Sequence, residues 1–400
     1  MNESHGFERD TTSGMVMLQI RSLAPRRICI VSLAFVVLAP WAGVAFAGQS
    51  RGVPTAHSSG EEIFIAGCAG CHGPTGAGMA DSTVGFEKPA TFPDFSGCSQ
   101  TTPEVEADWW AVIHDGGPAR GFSPIMPAFG DLLTAPQIDV LVKHIRTLCD
   151  DRSWPLGELN LPRAINTEKA FPENETVFST SVGARRIHDV MTTLAYERRV
   201  GARNQVELSV PFSVMHSPSG AEVNGLGDIG VGLKRVLFAN SRTGSIASAQ
   251  GEVIFPTGNE DKGLGSGVTV FETFGAFGQL LPFESFVQAQ AGAELPSDTT
   301  ETPRAVFGRI AVGKTLRGAG GLGRLWTPML EAVMTRDLKK GMSTDVDLVP
   351  QMQVTLSRRQ HVRANLGVQV PVSHTVGRPV QVTFYVLWDW FDGGLFEGWK

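Results

Sequence analysis

Beyond residue 175 the hydrophobic positions recur at every second residue. Val206, Leu208, Val210, Phe212 and Val214 alternate with Gln205, Glu207, Ser209 and Ser213. Val362, Ala364, Leu366, Val368, Val370 and Val372 alternate with His361, Arg363, Asn365 and Gln369, and Val380 to Trp390 repeat the pattern. A period of two puts the apolar side chains on one face of an extended chain. Twelve such segments are predicted, near 176–184, 188–199, 204–215, 227–238, 244–257, 267–280, 284–295, 305–316, 325–337, 345–357, 361–372 and 379–391. Earlier in the chain the period is helical. Ile138, Leu141, Val142, Ile145 and Leu148 share one face of a helix starting at Thr134. Ser58 or Ser59 caps another, with Glu61 and Glu62 in its first turn and Ile63 and Phe64 on its apolar side. A third is predicted from Thr102 through Trp109 and Ile113 to a stop at Gly116-Gly117. Between the two regimes, residues 151–174 hold Pro155, Pro162 and Pro172 without periodicity and read as a linker.

Strand length decides what the second half is. Most segments run 11–14 residues, whereas strands of soluble proteins average about 5–6 residues and membrane-spanning strands need about 9–11. An even number of long strands, apolar on one face and polar or small on the other, predicts an antiparallel outer-membrane β-barrel. Such barrels have short periplasmic turns and longer outer loops. With the chain starting inside, the inner turns fall near 200–203, 239–243, 281–283, 317–324 and 358–360. The outer loops fall near 216–226, 258–266, 296–304, 338–344 and 373–378. Only the Gly-rich 317–324 and the short first connection near 185–187 depart from the rule. A soluble β-sandwich also alternates and is the competing expectation. The last strand carries Val382, Phe384, Val386, Trp388 and Trp390 on one face, like a barrel assembly signal, although the chain runs on to Trp399-Lys400. With Gly251-Glu252-Val253-Ile254-Phe255-Pro256-Thr257-Gly258, the segment resembles barrels of the meta-pathway phenol-degradation type.

Composition divides the chain in the same places. The 400 residues have a mean hydropathy of zero, which excludes a bundle of many membrane helices. The net charge of −6 excludes a general nucleic-acid binder, which needs a basic face. Residues 48–150 carry five basic and twelve acidic side chains, a net −7, whereas residues 151–400 carry 25 of each. Residues 1–47 contain Arg26-Arg27, then an uncharged run from Ile28 to Ala47 ending Ala45-Phe46-Ala47. This pattern predicts a secretory signal peptide cleaved before Gly48, with an uncleaved anchor as the alternative.

Export changes the reading of the five cysteines. Cys29 lies in the signal. Cys68-Ala69-Gly70-Cys71-His72 is the C-x-x-C-H motif of covalent haem attachment: two thiols add across the two haem vinyls, and the adjacent imidazole ligates the iron. Cys98 and Cys149 remain as a pair in an oxidising compartment, where a disulfide is expected, the alternative being two buried thiols. Pro124-Ile125-Met126-Pro127 holds a Met in a stiff extended loop and makes Met126 the first candidate for the second axial ligand. His57, His114 and His144 are the other candidates, and Met79 lies too close to His72 to cross the ring. Residues from about 55 to 150 resemble a class I monohaem cytochrome c. The resemblance rests on Cys68, Cys71, His72, Gly73, Met126 with Pro127 and the last helix. It implies a small α-helical domain with one covalent haem c, and His72 and Met126 as axial ligands.

The sequence therefore predicts a multidomain protein: a signal peptide (1–47), a small all-α cytochrome c domain (48–150), a linker (151–174) and an all-β antiparallel barrel of about twelve strands (175–400). Two axial protein ligands leave the iron no open position, which favours an electron carrier over an enzyme. The expected role is electron transfer on the periplasmic side of the outer membrane, with lipid around the barrel and basic redox proteins as partners of the acidic haem domain. Such a barrel is too narrow to admit a folded haem domain. The alternatives are a channel or transporter with a haem sensor or plug, and a soluble periplasmic cytochrome whose β-domain docks a partner. Arg198-Arg199 and Arg358-Arg359 are expected at strand ends rather than in a site, and Gly258-Asn259-Glu260-Asp261 in a solvated loop.

Overall fold

The structure, a computed structural model, describes residues 59–183, 186–216, 221–300, 302–316 and 325–389. The signal segment 1–47, His57, the turn 317–324, Trp390 and the tail to Trp399-Lys400 lie outside the described residues. In the N-terminal part, helix α1 (Gly60–Gly67) is closed by a capping box between Ser59 and Glu62. Short helices α2 (Ala69–His72), α3 (Asp81–Val84) and α4 (Cys98–Thr101) precede α5 (Glu106–Asp115) and α6 (Ala135–Leu148). The helix expected from Thr102 starts four residues later. Pro103 has no N–H and separates α4 from α5, and Gly116 at φ 81° stops α5.

Helix α6 buries Ile138, Leu141, Val142 and Ile145 against Ile63 and Phe64 of α1 and Ile113 of α5. The crossing of α1 and α6 is close: a Cβ on Gly60 would lie 2.1 Å from the Val140 carbonyl oxygen. Gly60→Ala is therefore expected to destabilise the helical domain by about 1–3 kcal/mol, despite the better helix propensity of Ala. Denaturant unfolding followed by tryptophan fluorescence checks this. An unchanged midpoint would mean that the helices part at no cost. Cys98 and Cys149 are bonded, with Cα atoms 5.2 Å apart, and tie the start of α4 to the end of α6.

Among the described residues from Glu175 onward, every element is a strand paired antiparallel to its neighbours, apart from one turn of 3-10 helix at Glu260–Lys262. They are β1 (Glu175–Gly183), β2 (Arg186–Val200), β3 (Asn204–His216), β4 (Glu222–Leu226), β5 (Ile229–Asn240), β6 (Ser245–Phe255), β7 (Val270–Leu281), β8 (Ser285–Pro296), β9 (Ala305–Lys314), β10 (Trp326–Asp337), β11 (Asp345–Thr355), β12 (Val362–Pro371) and β13 (Gln381–Asp389). β1 pairs with both β2 and β13, from Glu175↔Asp389 to Gly183↔Gln381, so the sheet closes on itself. β4 and β5 are two halves of one stave, because both pair with β3. The break lies at Gly227-Asp228, opposite Pro211. Pro211 cannot donate to the ladder, and the Asp228 carboxylate instead accepts from Gly258 N and Ser266 N. The barrel thus has twelve staves.

Its polarity is inverted. Phe178, Leu194, Leu233, Phe271, Ile310, Leu330, Leu366 and Phe384 point outward and are exposed, whereas Gln205, Gln250, Glu272, Gln288, Glu331, Gln351 and Asn365 are buried inside. A water-soluble sandwich buries its apolar face. An exposed apolar face around a closed ring of strands is what hydrocarbon requires.

Part of the segment expected as a linker is a re-entrant plug. Leu159, Ala170 and Phe171 pack against Val236, Ile246, Phe274 and Phe307 inside the barrel. Leu161 and Ala164 pack against Phe286, Ala311 and Met329. Ile165 reaches so close to β12 that a Cβ on Gly367 would fall 2.3 Å from its Cδ1. The plug has no internal secondary structure to satisfy its backbone, and the barrel's inward polar residues take that role. Gln351 accepts from Ile165 N, Glu331 from Asn166 N and Gln205 from Glu173 N, while Tyr385 Oη donates to the Arg163 carbonyl. Arg163 binds Glu175 and Glu197 at 2.6 Å each and Glu168 at 3.0 Å.

The helical domain rests on the barrel end that carries the short turns. Arg199 Nη1 donates to Thr102 Oγ1 and Arg359 Nη2 to the Gly121 carbonyl at 3.2 Å, while Arg203 donates to the Ser153 and Arg152 carbonyls of the segment that follows α6. A cavity of about 40 Å³ lies between Val105 and Ala107 of the helical domain and Leu325, Thr355 and Arg363 of the barrel.

Candidate functional site

Cys68 ends α1, and the chain turns at once into α2, so that Cys71 N and His72 N both donate to the Cys68 carbonyl. Neither Cys68 nor Cys71 is in a disulfide. Burial first, then the neighbouring Cys71, push the Cys68 thiol up to about 11, so it stays a neutral thiol in this state. The imidazole of His72 is buried, with Phe92 stacked on it at 4.9 Å and Phe95 at the same distance. Burial pulls its pKa down to about 4, which keeps the ring neutral and its nitrogens available to a metal. Its Nδ1 has no hydrogen-bond partner.

Met126 reaches the same place from the loop between α5 and α6. Gly117 N donates to the Met126 carbonyl, and Phe129 N to the carbonyl of Ile113, so the loop folds back on the end of α5. Gly117 allows this return: a Cβ there would meet the Ser123 carbonyl oxygen at 2.3 Å. Cys68, Cys71, His72 and Met126 all line a single cavity of about 300 Å³, walled by aromatic and aliphatic side chains such as Phe64, Trp109 and Ile145. Thiols, a neutral imidazole and a thioether around a largely apolar hollow are the donor set and environment a covalently attached haem needs. The residues present fit the group.

The other candidates are elsewhere. His114 stacks on Trp110 at 4.7 Å and bonds Asp115 at 2.7 Å, and His144 packs on Phe64; neither lines the cavity. Met79 is also absent from its wall. Three residues that sequence reading left outside any site are present: Arg359, Gln360 and His361, from the turn between β11 and β12. Arg359 does sit between strands, as expected, but that turn is also a wall of the cavity. Arg199 bonds the Pro172 carbonyl and lies over Phe171 and Trp154, so it holds the plug.

Residues 55–145 match the family model of cytochrome c oxidase, cbb3-type, subunit III. The chain therefore carries a c-type cytochrome domain, whose cofactor is covalently bound haem c, joined to a closed barrel. Among curated proteins none matches the chain. Among solved structures, the KdgM porin is 10% identical with a TM-score of 0.36, covering 54% of this chain and 99% of that one. An outer membrane channel from Pseudomonas putida F1 is 11% identical with a TM-score of 0.41, covering 57% of this chain and 100% of that one. LpxR from Salmonella typhimurium is 8% identical with a TM-score of 0.36, covering 54% and 100%.

Proposed function

We propose that the protein is an electron carrier anchored in the outer membrane, its haem attached through Cys68 and Cys71, ligated by His72 and Met126, and held on the periplasmic side. The observation that carries this reading is the convergence of those four side chains on one apolar cavity. Haem c supplies one-electron chemistry at its iron. The chain's own residues keep that chemistry simple: Phe92 and Phe95 hold the His72 ring, Trp109 and Ile145 keep water away, and the Met126 thioether would ligate the iron. Thioether ligation favours the reduced iron and raises the potential.

The short turns at the haem end support a periplasmic placement, because outer-membrane barrels keep their short turns on that side. The filled lumen favours an anchor over an open channel. It also changes the alternative role for the haem domain as a plug, since residues 159–171 already occupy the lumen. The acidic surface of the domain suits basic redox partners, and salt is expected to weaken their encounter.

Met126→Ala is expected to abolish the far-red sulfur-to-iron charge-transfer band of the oxidised protein while the haem stays covalently bound. Survival of the band would assign the ligand to another Met. Absence of the band in the unaltered protein would overturn Met126 ligation and point to His361, the imidazole from the barrel turn that lines the same cavity.

A further inference from the structure

We infer that the haem site is shared between the two domains, with Arg359 of the barrel turn serving as a counter-ion for a haem propionate. The inference rests on the haem reading above and goes beyond it, since it assigns cofactor binding to the barrel. A haem carries its vinyl groups and its two propionates on different edges. Cys68 and Cys71 fix the vinyl edge, so the propionates fall on another part of the cavity wall. Two anionic carboxylates in a largely apolar hollow need cations close by.

Among the described residues the cavity wall offers two guanidiniums and no lysine: Arg120, from the 3-10 turn Gly117–Arg120 of the helical domain, and Arg359, from the barrel. Asp94, Glu104 and Asp108 line the same wall, so propionates without a cation would meet carboxylates. Arg359 is placed for the role. Its Nη2 is anchored on the Gly121 carbonyl and its guanidinium lies over the Phe122 ring at 4.9 Å. Its Nε is buried with no hydrogen-bond partner, a donor that is costly to leave unmade and that a carboxylate oxygen would satisfy. Gln360 and His361, buried beside it, line the same cavity. A cation at this edge disfavours the extra positive charge of the oxidised iron. The barrel thereby raises the reduction potential of a haem bound to the other domain.

The test uses the full-length haem-loaded protein in detergent, titrated against one-electron dyes. Arg359→Gln is expected to shift the redox equilibrium about tenfold toward the oxidised form, a midpoint lower by about 59 mV for one electron. Arg359→Lys should recover most of the shift. Arg203→Gln is the control, because Arg203 ties the barrel to the chain just after α6 but does not line the cavity, and it should leave the midpoint unchanged. An unchanged midpoint in Arg359→Gln, with haem attached and its ligation band intact, overturns this inference and leaves the haem reading standing. An equal shift in Arg203→Gln also overturns it, since docking rather than charge would then set the potential. A purified chain without covalent haem would overturn both readings, and haem staining on a denaturing gel separates that case from the others.

Discussion

Replacing Arg163 with methionine is expected to cost about 3–5 kcal/mol, the usual result of removing one partner from a buried ionic group. Among the described residues, Arg163 is the only cation that touches Glu168, Glu175 and Glu197 together, at 2.6–3.0 Å, and the last two carboxylates have no exposed surface. Methionine fills the volume but leaves the carboxylates facing each other. Arg163→Lys should fall between the two, because an ammonium cannot reproduce the guanidinium fork. Two measurements check the prediction. Heat-modifiable migration on a gel should shift to a lower temperature, and planar bilayers should show current through a lumen whose plug has lost its hold. A variant as stable and as closed as the unaltered protein would mean that apolar packing of Leu161 and Phe171 alone retains the plug.

The second large effect is on the helical domain. Cys98→Ala with Cys149→Ala opens a loop of 51 residues, and by chain entropy its closure stabilises the folded state by about 4 kcal/mol. That is a large fraction of the stability of a domain of this size. Loss of the haem ligation band in denaturant should move to clearly lower concentration in the double variant, whereas the barrel's heat modifiability should not move. A loss below about 1 kcal/mol would mean that α1 packing on α6 already restricts the open chain.

The two halves were legible in the sequence to different depths. The staves could be placed because period two and strand length are local properties, and Glu272 between Phe271 and Thr273 states its face without reference to anything distant. The capped ends of α1 and α6 were local in the same way. The split between β4 and β5 was not, since it depends on Asp228 bonding a loop some 30 residues away. Nor was the plug. Its prolines and lack of period are those of any linker, and it is buried only because Gln205, Glu331, Gln351 and Tyr385 are turned inward to meet its backbone. At the haem site, Cys68, Cys71, His72 and Met126 were legible because the attachment chemistry fixes their spacing and loop context. Arg359 was not, for it stands more than 230 residues from Met126 and joins the cavity only when the domains meet.

The closing seam of the barrel has a consequence for its assembly. Glu175 of the first stave lies directly opposite Asp389 of the last, and like charges so paired resist each other. Lys169, carried by the plug, contacts Glu175 at 3.2 Å and Glu173 at 2.5 Å, while Arg363 contacts Asp389 at 3.1 Å. The seam is thus neutralised from two sides, by Arg363 within the barrel and by Lys169 of the seated plug. Removing the plug would leave Glu175 and Glu173 at the seam without the Lys169 ammonium, so the stopper and the seal support each other.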